Sequence, residues 1–256
     1  MINANRVETT LNQIRKIYSK VLDDSANNVI PKAIAGLKTS KQAYDRTRER
    51  SSTSDGQETW GYTIDHEEPL RFKVSSTRDI GLSVDVYCDV RWSDGVMPIT
   101  QDIKVRVWSD HEDTIFQEDR DAKEVLERLS HPSRMRQERV VSRFHLDKVN
   151  KSHTETTEYH PEYHLQFGGK PEDYELCWHP KKVNVPRLLH HPMELFLTCQ
   201  LIAANFFWKD YLEIREKSEY QTELSMYQTF FLKSYYVSCL EAIHNKDSLL
   251  DELGAG

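Results

Sequence analysis

The feature that most constrains this chain is a run of unbroken alternation, Leu82–Trp92. Successive side chains of an extended backbone point to opposite faces. Leu82, Val84, Val86, Cys88, Val90 and Trp92 therefore line one side, and Ser83, Asp85, Tyr87, Asp89 and Arg91 the other. Wound as a helix, the same run would scatter its apolar residues around the axis. The segment is committed to a sheet with one greasy face. Ser93-Asp94-Gly95 signals a turn, and Ile103, Val105 and Val107 then alternate with Lys104, Arg106 and Trp108, which predicts an antiparallel partner. Shorter strands are expected at 59–65 and 69–76.

The same period returns later. Arg139–Asp147 alternates Val140, Phe144 and Leu146 against Val141, Arg143, His145 and Asp147, and Glu162–Gly168 alternates Tyr163, Leu165 and Phe167 against His164 and Gln166. A polar connection, Lys148–Tyr159, makes an antiparallel hairpin with a long loop the simplest topology. A short helix is expected over 119–129, ended by His131-Pro132.

Helical periodicity flanks the sheet. Val7, Leu11, Ile14, Tyr18 and Val21 recur at three- and four-residue spacing over 4–22. A second helix is expected over 27–46, with Pro31 in its first turn. Ser51–Gly56 is polar and turn-rich and marks a boundary. In the last third, Pro192 fits a helix start and leads into an apolar core helix. A second helix, 221–244, carries Tyr227, Phe230, Phe231, Tyr235 and Tyr236. The expected fold is α+β: a mainly antiparallel sheet covered by an N-terminal helical segment and a C-terminal aromatic-rich helical hairpin. Residues 1–57 form the helical segment and 58–256 the α+β core, or the whole is a single domain.

With 256 residues and 38% apolar types, the chain can bury a core without disulfides or metals. The net charge of -7 argues against a global attraction to nucleic acid or anionic lipid. Charge is segregated, however: residues 1–57 hold ten Lys and Arg against six Asp and Glu, concentrated in Lys38, Lys41, Arg46, Arg48 and Arg50. That stripe reads as a solvated helix end or as a contact for phosphates or an acidic partner. Cys88, Cys177, Cys199 and Cys239 sit in apolar contexts without metal-ligand spacing, which suits reduced thiols. The chain opens without a signal-like apolar run, and Leu195–Trp208 falls short of a membrane span. A cytoplasmic location with no membrane contact is expected.

Strand alternation also defines a candidate site. If Phe144 and Leu146 face the core together with Tyr163, Leu165 and Phe167, then Arg143, His145, Asp147, His164 and Gln166 converge on the other face. Imidazoles serve as general acid or base near neutral pH, Asp147 orients one or helps hold a divalent metal, and Arg143 neutralises a phosphate. The competing reading is a simply wet sheet face. Arg187 and His190, near the start of the core helix, are candidates for anion binding. His153, His160, His179 and His191 surround the patch in sequence. His160 and His164 have metal-ligand spacing only on a helix, and Pro161 lies between them. No complete metalloprotease, P-loop, nucleophile-elbow or dinucleotide motif is found.

The runs RFHLD (143–147), HLQFGG (164–169) and PRLLHHPM (186–193) resemble a signature of uncharacterised prokaryotic proteins from mobile or defence-related loci. The paired H-x-D and H-x-Q also resemble two-histidine phosphoesterases, with Asp147 and Gln166 standing where those carry hydroxyls. Three function classes stay open. The first is a non-catalytic interaction or regulatory subunit, in a prokaryotic antiviral defence assembly. The second is a hydrolase of phosphoesters or nucleotides using His145 and His164. The third is nucleic-acid binding through Lys38–Arg50.

Overall fold

The computed structural model describes residues 3–50, 59–74, 82–95, 97–109, 139–148, 163–168 and 187–244. Among these, seven strands form one sheet: β1 (Trp60–Ile64), β2 (Leu70–Arg71), β3 (Leu82–Trp92), β4 (Thr100–Ser109), β5 (Arg139–Lys148), β6 (Tyr163–Phe167) and β7 (Arg187–Leu189). The order is β1-β3-β4-β5-β6-β7, with β2 also beside β3, and every pairing is antiparallel. The expected helix at 119–129, the loop 148–159 (beyond Lys148), Cys177, His153, His160 and His179 lie outside the described residues.

The alternation decides which face is covered. Tyr62, Ile64, Val84, Val86, Cys88, Val90, Ile103, Val105, Val107 and Leu146 are buried in one core with the helices. Helix α1 (Ala4–Ile17) contributes Val7, Leu11, Ile14 and Ile17, and its Asn3 side chain caps the Arg6 N–H at 2.9 Å. Helix α2 (Ala26–Arg50) lies along β1, where the Ser40 hydroxyl donates to the Gly61 carbonyl and accepts its N–H. The edge backbone of β1 is thereby satisfied by a side chain. The expected mainly antiparallel α+β architecture, with helices before and after the sheet, is the one observed.

Several boundaries differ, each for a visible reason. Helix α1 stops at Ile17, although the apolar stripe runs on: Tyr18, Val21 and Leu22 stay buried in a turn. Leu22 then bridges Phe72, so the chain joins the sheet edge instead of continuing to wind. Of the strand expected at 69–76, β2 covers Leu70–Arg71, and residues 75–76 lie outside the described residues. Pro31 sits in the second turn of α2, one residue later than expected, because the helix begins at Ala26.

Helix α3 (Leu195–Phe206) starts at Leu195, not at Pro192. It is buried through Leu195, Phe196, Leu197, Thr198, Cys199, Ile202 and Ala203. The backbone breaks at Phe207 (φ -133°, ψ 45°) before α4 (Trp208–Arg215). Helix α5 (Ser218–Tyr227), a π-helical turn (Gln228–Leu232) and α6 (Lys233–His244) follow as one rod. Phe196 stacks on Tyr227 at 5.1 Å and Tyr227 on Phe231 at 5.1 Å, the aromatic seam expected of these helices.

Candidate functional site

Sheet register builds the candidate site one row at a time. Asp147 on β5 stands opposite His164 on β6, and His145 opposite Gln166. The five residues that alternation assigned to one face therefore do share it. On the other side of β5, Asp102 stands opposite Asp147, Lys104 opposite His145 and Arg106 opposite Arg143. Directly opposed side chains on one face are close neighbours. The β4 members were missed in the sequence reading, although Lys104 and Arg106 carry the same alternation; extending it by two residues reaches Asp102.

At the centre, Asp147 Oδ2 lies 3.7 Å from His145 Nδ1 and 3.8 Å from His164 Nε2. One carboxylate oxygen is thus within Coulombic reach of two imidazoles. Asp102 adds a second carboxyl group. Burial, followed by the Asp147 charge, raises the Asp102 pKa, opposed by Lys104 at 3.1 Å. Two facing carboxyl groups resist joint ionisation and hold a proton between them more readily than either alone.

The cluster is withdrawn from water. Arg143, His145 and His164 are 1%, 8% and 3% exposed, so this is not a solvated sheet face. Asp147 and Gln166 keep partial exposure. The row behind it is anchored by a buried fork: Arg106 Nε and Nη2 donate to the two Asp85 oxygens at 2.7 and 2.9 Å. Trp108 Nε1 donates to the same carboxylate at 2.9 Å. The Arg106 guanidinium lies 4.7 Å from the Tyr87 ring and 5.1 Å from the Trp108 ring. Burial raises the Asp85 pKa against the pull of Arg106. Arg143 donates to the Tyr87 hydroxyl, which ties it to this anchor.

Arg187 and His190, the residues expected to bind an anion, lie on and just beyond the last strand, β7. Arg187, on β7, pairs in register with Gln166 on β6; local sequence pattern does not show β7. The His190 N–H donates to the Tyr163 carbonyl, which assigns it to Tyr163's row and not to the His–Asp row. Its Nδ1 lies 2.7 Å from the His191 carbonyl oxygen, and the two rings are 4.1 Å apart. Burial, then the His190 charge, lowers the His191 pKa to about 4. The start of α3 is headed by Glu194, fully buried at the N-cap, so an incoming anion would meet a carboxyl group there.

Among the described residues no group of three or more His, Cys, Asp and Glu side chains has the arrangement of a metal site. The basic stripe on α2 is partly committed: Lys38 pairs with Glu8 at 2.8 Å, Lys41 with Asp45, and Arg48 with Asp94. Phosphates would have to displace these carboxylates from three of the five cations. No described helix is long and apolar enough to cross a membrane.

No protein-family model, no curated protein and no solved structure matches this chain.

Proposed function

We propose that the cluster of His145, Asp147 and His164 is the acid–base centre of a hydrolase acting on phosphoesters or nucleotides. The observation that carries this reading is the single carboxylate oxygen within 4 Å of an imidazole nitrogen on each side. In hydrolysis, one imidazole accepts a proton from water as the water oxygen bonds to phosphorus. The other, protonated, gives its proton to the leaving oxygen as the phosphorus–oxygen bond breaks. Asp147 stabilises whichever ring carries the charge. Lys104 and Arg143, on the same face beside His145, supply positive potential for an anionic substrate.

The test is turnover by the full chain of bis-p-nitrophenyl phosphate, p-nitrophenyl phosphate, cyclic nucleotides and nucleoside triphosphates. His145→Ala and His164→Gln are expected to abolish activity with little change in thermal midpoint. Turnover surviving both substitutions, or unfolding of both variants, refutes the reading and leaves the histidines structural.

A second reading, as a non-catalytic interaction or regulatory subunit, is supported by a different observation. Phe230, Tyr236, Val237 and Leu240 are exposed on the final rod of helix. A setting in prokaryotic antiviral defence rests on the signature resemblance alone.

A further inference from the structure

The last helical rod has one side built into the fold and one side facing water. Tyr227 and Phe231 are buried, and Tyr235 lies edge-on against Tyr163 at 5.7 Å. At about 100° per residue, Val237 points away from Tyr235, with Leu240 beside it. Phe230, at the π-helical turn, lies two turns before Val237. These three are 45% (Phe230), 41% (Val237) and 62% (Leu240) exposed.

The charges on α6 say what covers this side. Between Lys233 and His244 the only Lys, Arg, Asp or Glu residues are Lys233 and Glu241, both exposed. Each is four residues from Val237, one turn before it and one turn after. An antiparallel copy of the same helix, related by a two-fold axis at Val237, sets each Lys233 opposite the other chain's Glu241. It also sets each Leu240 opposite Ser234, a small residue whose hydroxyl is already used on the Phe230 carbonyl at 2.8 Å. A parallel pairing would face Lys with Lys and Glu with Glu.

We propose that this face is a homodimer interface, with α6 packing antiparallel against α6 of a second copy about Val237. The proposal rests on the interaction reading above, names its partner, and is independent of the acid–base reading. The contact is isologous, the same patch on both subunits, so it closes as a dimer and does not propagate.

The experiment is sedimentation equilibrium of the full chain, with circular dichroism as the folding check. The wild type is expected to dimerise reversibly. Val237→Glu is expected to raise the dimer Kd by at least about tenfold with an unchanged spectrum. Lys233→Glu weakens the dimer, and Lys233→Glu combined with Glu241→Lys restores it. In a Cys239→Ser background, Val237→Cys oxidises to a covalent dimer, because a residue on the axis meets itself; Ser238→Cys does not. A monomer at the highest attainable concentration, a dimer indifferent to Val237→Glu, or a double charge swap that fails to restore association each overturns the proposal. If the chain alone is monomeric but a purified protein encoded beside it binds wild type and not Val237→Glu, the homodimer is refuted and the interaction reading survives.

Discussion

Glu194 offers the sharpest quantitative test of the fold. It is fully buried at the N-cap of α3, between the sheet and the helices. The groups around it come from five elements: Glu223 on α5, Arg6 on α1, Tyr62 on β1, Cys88 on β3 and Cys199 on α3. Glu223 already accepts from Arg6 Nη2 at 2.7 Å and from the Thr10 hydroxyl at 3.2 Å. Burial, followed by the Glu223 charge, raises the Glu194 pKa from 4.5 to about 8, with Arg6 pulling the other way.

The unfolded chain releases this proton near the ordinary value, whereas the native state keeps it to about pH 8. Between those limits the native state binds more protons than the unfolded, so stability falls as pH rises. The contribution is complete below pH 4.5, is lost on the way to about pH 8, and is level beyond. A displacement of this size corresponds to about 5 kcal/mol in total, of which about 3 kcal/mol is lost by pH 7. Glu194→Gln keeps the shape and removes the titration. Urea unfolding of both proteins at pH 4.5, 6, 7, 8 and 9 gives the difference directly. The variant is expected to match the wild type at pH 4.5, to gain about 3 kcal/mol on it at pH 7, and to gain little further above pH 8. A difference that stays flat from pH 4.5 to 8 refutes the buried, proton-holding carboxyl group.

Three further outcomes follow from single contacts. Asp85→Ala strips the buried Arg106 fork of its carboxylate and is expected to cost about 3–5 kcal/mol in urea unfolding, whereas a loss below about 1 kcal/mol would mean that Arg106 finds water or another acceptor. Gly61→Ala sets a Cβ 2.0 Å from the Val90 carbonyl oxygen, and the backbone shift it forces is expected to cost about 3 kcal/mol, read as a lowered thermal midpoint. With its pKa held near 4, His191 stays neutral at pH 6–8 and its ring protons are expected to show no NMR titration there. Because that native pKa is lowered, His191 contributes stability above pH 6.5 that is lost as pH falls toward 4.

The sequence determined the sheet and its two faces by itself. A period of two leaves no freedom over which residues share a side, so Arg143, His145 and Asp147 were bound together before any pairing was known. The antiparallel pairing of β5 with β6 then brought His164 and Gln166 to them. What local pattern does not encode is the third dimension around a strand. The wet sheet face expected as the alternative is instead a buried one, and burial is set by the whole chain's packing. Asp102 joins Asp147 only because β4 pairs with β5, a contact between segments some forty residues apart in sequence. The three-residue β7 is too short to show a period. Glu194 looks from its neighbours like an ordinary solvated residue in the first turn of a helix; tertiary packing closes three helices and two strands over it, and so turns a carboxylate into a neutral acid.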